Sequence, residues 1–181
     1  CRRIGFVSGA MTSDDAMQRL DTYRKCLRDH GITYQEGRVV YGNFTEYSQE
    51  IVRDLMRRNP DLDAVVFAND MMAIGGYKVF REMGLRVGRD ISVMGFDNSA
   101  CALTLEPNLS TVNADPMQLG YQAVMNYQDI LSGKVHDVTV ESSPIYRESC
   151  GCRRKDFTGF AVDEKNIFNP METQDLLNNL Y

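Results

Sequence analysis

Four short β-prone runs each end in side chains able to grip a polar ligand. After Arg3–Ser8 come Met11, Thr12, Ser13 and, one turn into the next helix, Arg19. After Arg38–Tyr41 come Asn43 and Phe44, after Ala64–Ala68 come Asn69 and Asp70, and after Ile91–Phe96 come Asp97 and Asn98. The set holds a guanidinium, amides, carboxylates and an aromatic ring. It has no histidine, no nucleophile paired with a base and no glycine loop to cradle phosphate. Arg, Asn and Asp bond hydroxyls in pairs, and an aromatic face covers the apolar side of a ring, so the chemistry suits a polyol or sugar-like ligand.

Each of these residues also has a plainer reading. Asn69 or Asp70 serves as a helix cap, with Asp70 the more cap-like of the two. Asp97 after Gly-Phe suits an Asx turn. Arg19 sits four residues after Asp15 and pairs with it along the helix. Phe44 fits a core. What raises the group above these readings is its shared location at one edge of a sheet. A small enzyme using Asp97 or Asp70 as an acid or base is the catalytic alternative, and no nucleophile–base pair supports it. A dimerisation lobe that has lost its ligand is a further alternative, marked by an Arg19 turned away from Asp97.

The remaining reactive side chains are less promising. The five cysteines, Cys1, Cys26, Cys101, Cys150 and Cys152, are odd in number and irregularly spaced. That pattern fits reduced thiols in a cytoplasm-like compartment. Cys150-Gly151-Cys152 sets two thiols one residue apart, short of the ligands a metal needs, and reads as structural. The two histidines, His30 and His136, lie in no metal-ligand pattern, so neither a metal nor a cofactor is expected.

The elements that must position the candidate residues alternate regularly. Ser13 caps a helix whose first turn carries Asp14 and Asp15. Ala16, Leu20, Tyr23 and Leu27 then recur at i, i+4, i+7 and i+11, one helical face, and Gly31 stops it. The next strand leads to a helix capped at Thr45, with Tyr47, Ile51, Leu55 and either Val52 or Met56 turned inward, ended by Pro60. Ala64–Ala68 is apolar on both faces, as a buried parallel strand should be. A helix follows to Met83 and Gly84 closes it. Strands alternating with helices imply an α/β fold, a mostly parallel sheet with helices on both faces. Beyond Asp97 come a loop to Asn108, a short strand Leu109–Val112, and a helix opened by Asp115 and Pro116 that runs to about Leu131. Val138–Glu141 and Ile145–Arg147 read as extended.

Composition sets the outer limits. Lys plus Arg number 20 and Asp plus Glu 25, for a net charge of −5, so the chain lacks the basic face that direct nucleic-acid binding requires. Apolar residues make up 43%, enough for a core, and no run is long enough to span a bilayer. The start at Cys1 reads as a piece of a longer chain rather than a lipoprotein, because no spacer precedes the first strand.

The run AVVFANDMMAIG at Ala64–Gly75, followed by GLRVGRDISVMGFD at Gly84–Asp97, strongly resembles the effector-binding domain of LacI/GalR-type repressors, a relative of periplasmic sugar-binding proteins. The opening RIGFVSG, Arg19, Leu109–Val112 and Leu119-Gly120 agree in order with it, over roughly residues 3–150. The resemblance implies two lobes around a ligand cleft, with three crossings between them. Residues 3–105 then form the C-terminal lobe, 109–133 belong to an incomplete N-terminal lobe, 138–152 return as a strand, and 153–181 are a linker or docking tail. It implies a partial second lobe with an exposed apolar surface around 109–131, and a homodimer. It places the ligand contacts on Arg19, Phe44, Asn69 and Asp97, helped by Thr12 or Ser13. The tail departs from the family's usual ending and is similar to sensors fused to a diguanylate cyclase, a histidine kinase or an AraC-type module. The expected function is a non-catalytic, cytoplasmic, ligand-sensing module of a bacterial regulator, with a sugar-like effector and a downstream output domain.

Overall fold

The computed structural model describes residues 1–134 and 137–152, so His136 and the expected tail at 153–181 lie outside the described residues. The element order is β1 (Ile4–Ser8), α1 (Asp14–Asp29), β2 (Val39–Tyr41), α2 (Gln49–Arg58), β3 (Ala64–Phe67), α3 (Asp70–Glu82), β4 (Ser92–Met94), β5 (Thr111–Asn113), α4 (Pro116–Met125), α5 (Tyr127–Leu131) and β6 (Ser143–Ile145). The first four strands form a parallel sheet in the order β2-β1-β3-β4.

That order decides which helix covers which face. Crossovers between parallel strands are right-handed. The step from β1 to β2 moves one way across the sheet, whereas β2 to β3 and β3 to β4 move the other way. So α1 lies on one face and α2 and α3 on the opposite one. Packing agrees, because Phe6 stacks on Tyr23 of α1 at 4.8 Å, while Phe67, one residue on in the pleat, meets Phe80 of α3 edge-on at 6.5 Å. The expected inward face of α1 is the buried one: Ala16, Leu20, Tyr23 and Leu27.

α2 departs from expectation. Thr45 does not cap it; its hydroxyl donates to Asn43 Oδ1 at 2.7 Å, and the helix starts at Gln49. Ser48 holds the cap position, but its hydroxyl donates to the Met72 carbonyl at 2.6 Å instead. The later start leaves Tyr47 outside the helix and 77% exposed, and Val52, Leu55 and Met56 are the buried residues. The Ser48 bond also draws α2 and α3 together, so that a Cβ at Gly75 would stand 2.2 Å from Ser48 Oγ and 2.9 Å from the Glu46 carbonyl. Gly75→Ala is therefore expected to cost roughly 1–3 kcal/mol by overpacking, read as a lower urea midpoint with unchanged slope.

Past β4 the chain pairs differently. Met94 bridges to Ser110, which brings the second segment to the sheet edge, and Leu109 is fully buried. β5 then pairs with β6 in an antiparallel two-stranded sheet of their own. The extended segment expected at Val138–Glu141 joins no strand, and pairing begins only at Ser143. The single helix expected to Leu131 breaks at Asn126 into α4 and α5, neither with a buried residue. Met117, 81% exposed, opens an apolar surface continued by Tyr121, Val124, Met125, Tyr127 and Leu131. That surface starts at 117, not at 109.

Candidate functional site

In an open parallel sheet the crevice lies beyond the carboxyl ends of the strands, where neighbouring crossovers leave in opposite directions. Here that point lies between β1 and β3, and Arg19 reaches across it. Its Nη1 donates to the carbonyl of Ala68 at the end of β3. Its guanidinium carbon lies 4.0 Å over the Phe96 ring and 6.0 Å from the Phe44 ring. Its Nη2 stands 3.7 Å from Asp97 and 3.8 Å from Asp15. The helical pairing with Asp15 therefore exists beside the cross-strand contact. Arg19 is not turned away from Asp97, and its side chain is 22% exposed.

Asp97 sits in a turn with φ 104, followed by Asn98 at φ 53, both in the left-handed region that non-glycine residues seldom occupy. The turn is held from several sides. The Asp97 amide donates to the Val112 carbonyl at 2.9 Å, and the Asn98 amide donates to Thr111 Oγ1 at 3.2 Å. Arg147 donates to Asn98 Oδ1 at 2.8 Å. With its backbone fixed in this way, the Asp97 carboxylate accepts no hydrogen bond among the described residues and its side chain is 40% exposed. Burial pushes its carboxyl above the usual range; Arg19 opposes the rise, and Asp70 and Asp15 add to it.

Asn69 is the helix cap, accepting from the Met72 amide at 3.0 Å, and its Nδ2 donates to the Phe44 carbonyl at 3.0 Å. It is only 6% exposed. One side chain thus ties the N-terminus of α3 to the loop carrying Phe44, a residue at φ 65 whose ring lies against Gly9. Asn69→Ala is expected to lose about 0.5–2 kcal/mol of stability with the cap. Asn69→Asp keeps the acceptor but not the donor, so thermal melts should show it keeping most of the stability while freeing the Phe44 loop.

Asp70 is not a cap. It is fully buried and accepts from Thr111 Oγ1 at 2.6 Å, the Ser99 amide at 2.8 Å and Ser99 Oγ at 3.3 Å. Burial raises its carboxyl above the ordinary value, against the pull of these bonds and of Arg147. Ser13 caps α1, accepting from the Ala16 amide at 3.5 Å, while Thr12 is exposed in the turn before it. Asn43 is taken up by Thr45.

Arg19, Phe44, Asn69 and Asp97 are thus linked at one edge of the sheet, with Ser13 and Thr12 on the adjoining turn. Sequence reasoning missed Phe96 and Arg147, and it took Asp70 for a cap rather than the buried brace of Thr111 and Ser99. Phe96 was legible as the neighbour of Asp97, whereas nothing local marks Arg147 as the brace of the Asn98 turn. A cavity of about 580 Å3 shares Arg19 and Phe96 with this cluster but runs between α1 and the sheet past Tyr23, Val66 and Met94. It does not include Asp97, Asn69 or Phe44, so its apolar lining is separate from the polar mouth. No group of three metal-ligating side chains occurs among the described residues, and no helix among them is long and apolar enough to cross a membrane.

Comparison with known proteins adds a family. A family model described as "Periplasmic binding protein-like domain" matches residues 1–150. The HTH-type transcriptional regulator CelR of Thermobifida fusca is 33% identical over 152 residues, covering 82% of this chain and 45% of CelR. The HTH-type transcriptional regulator AscG of Escherichia coli (strain K12) is 38% identical over 112 residues, covering 61% of this chain and 33% of AscG. Among solved structures, the complex of the transcriptional regulator CelR with cellobiose superposes with a TM-score of 0.75 at 33% identity, covering 82% of this chain and 46% of that one. The chain spans less than half the length of these relatives.

Proposed function

Because the chain belongs to the periplasmic-binding-protein-like family represented by LacI-type regulators, we propose that it is the effector-sensing portion of a bacterial transcriptional regulator, without catalysis of its own. Residues 3–105, with the return at 138–152, would be one lobe of the ligand cleft. Residues 109–133 would belong to the other lobe, which accounts for the exposed apolar face of α4 and α5. The ligand is a sugar or similar polyol, held by Arg19 and Asp97 on its hydroxyls, by Asn69 where its amide still has a free N–H, and by Phe44 on its ring face. Thr12 and Ser13 stand at the margin. Closure of two such lobes on the ligand would pass through a homodimer to an output domain in the cytoplasm.

The observation that carries this reading is the Asp97 carboxylate. It is fixed in a left-handed turn beside a guanidinium clamped by Phe96, yet it accepts no hydrogen bond from the described residues. An acceptor prepared in this way is suited to a ligand's hydroxyls. Both named relatives are HTH-type regulators, and neither supports a cyclase or kinase output. The test is calorimetry of the full two-lobed protein against a panel of mono- and disaccharides and nucleobases. At least one sugar is expected to bind with favourable enthalpy and 1:1 stoichiometry; binding of nucleobases alone, or of nothing, would refute the assignment.

A further inference from the structure

Cys150 and Cys152 are in contact. Their sulfurs stand 2.8 Å apart, and no other two cysteines among the described residues touch. The turn that brings them together is built into the lobe. Ser149 is fully buried, donating to the Val93 carbonyl at 2.7 Å and accepting from the Ser110 amide at 2.7 Å. Cys150 donates its thiol to the Arg147 carbonyl at 3.1 Å, and its own carbonyl accepts from Ser92 at 3.5 Å. Gly151 at φ 84 then reverses the chain so that Cys152 folds back over Cys150, a backbone that a side chain would strain. Gly88 leaves room for this turn, since a Cβ there would meet the Glu148 carbonyl at 2.3 Å.

The pair is also reachable. Both sulfurs belong to half-buried residues, and a cavity of about 910 Å3 opens beside Cys152 between Arg89, Pro107 and Glu148. By contrast, Cys26 is exposed with no second thiol in contact. Cys101 lies beside Ser99, with its thiol held above the ordinary range by burial.

We propose that Cys150 and Cys152 are a reversible oxidation site, closing to a disulfide across Gly151. The oxidant is a small-molecule disulfide such as glutathione disulfide. One thiolate attacks it, forming a mixed disulfide and releasing one glutathione thiolate. The second cysteine thiolate then displaces the other glutathione. One S–S bond forms in the protein and one breaks in the reagent, the two cysteine protons pass to the two departing thiolates, and two electrons pass to the reagent. The sulfurs close to about 2.05 Å. A ring spanning one residue at the surface belongs to the labile class of disulfides that thiols reduce readily. Oxidation would tie Cys152 covalently to a turn that Ser149 anchors in the core. This inference does not depend on the ligand assignment.

The test treats the full chain with glutathione disulfide, quenches with an alkylating agent and maps peptides without reduction. The peptide spanning 150–152 should lose both alkylation sites at least about tenfold faster than Cys26 forms a mixed disulfide, without retaining glutathione, and dithiothreitol should restore both sites. In Cys152→Ser, Cys150 should instead stop at a persistent glutathione adduct. Full alkylation of both thiols after oxidant, or a glutathione adduct that persists in the unaltered chain, would overturn the proposal.

Discussion

Arg19→Ala and Asp97→Ala should each weaken sugar binding to the full two-lobed protein by roughly 2–5 kcal/mol, the cost of removing one member of a desolvated charged contact. That corresponds to about 30-fold to a few thousand-fold in dissociation constant. Asp97 is the more exposed of the two in this form, so its value should fall toward the lower end unless lobe closure excludes water around it. Acid should separate the two variants. Binding through the ionised Asp97 is constant near neutral pH and falls as the carboxyl protonates, and burial moves that fall to higher pH than for an ordinary aspartate. Arg19 opposes the shift. Removing it should therefore move the acid loss of affinity further toward neutral, even as overall affinity drops. An acid limb at the same pH in Arg19→Ala would show that the two groups are not coupled.

Asp70→Ala should be the most damaging substitution near the site, although Asp70 touches no ligand in this account. It strands the Thr111 hydroxyl and the Ser99 amide, each at about 1–3 kcal/mol when buried and unpaired, for a combined loss of roughly 2–6 kcal/mol in chemical denaturation. Asp70→Asn tests the electrostatic part. Burial raises the folded-state carboxyl, so between the unfolded and folded values the folded chain holds more protons. That contribution is fully present below the unfolded value and is lost as pH rises through the folded one. Asp70→Asn should remove this acid-side gain while retaining part of the hydrogen bonding. A stability difference from the parent that does not vary with pH would contradict the raised value. Because Thr111 and Ser99 flank the Asp97 turn, both variants should also weaken binding.

The parts of the fold that could be read in advance are those where one residue type does one local job. The i, i+4, i+7, i+11 spacing on α1, the doubly apolar β3 and the Pro116 helix start each follow from period or backbone chemistry alone. The right-handed crossover rule then brings the strand-end side chains to one edge. Longer-range bonds decided the remainder. Ser48 is drawn to Met72 of another helix, so α2 starts late and Tyr47 is left outside. Asp70 looks like a cap because it opens a helix, but Asn69 takes that role and Asp70 turns inward to Thr111, forty-one residues on. Arg147 reaches back to Asn98 across forty-nine residues, a separation that no local pattern marks. In the site itself, Asn69 caps its helix, Arg19 pairs with Asp15 and Phe44 packs against the core, the plain contacts that their neighbours suggest, whereas the Asp97 side chain makes no Asx turn. Sequence alone could not separate those contacts from a ligand role, and the proposed role rests on the Asp97 carboxylate, which accepts no hydrogen bond among the described residues.

A crystal structure of the full two-lobed protein with the best sugar from the panel tests the central claim most directly. Sugar hydroxyls within 2.5–3.2 Å of the Asp97 carboxylate and the Arg19 guanidinium, with the ring face against Phe44, are the predicted result. A sugar seated in the apolar groove between α1 and the sheet, leaving Asp97 without a hydrogen bond, would contradict it.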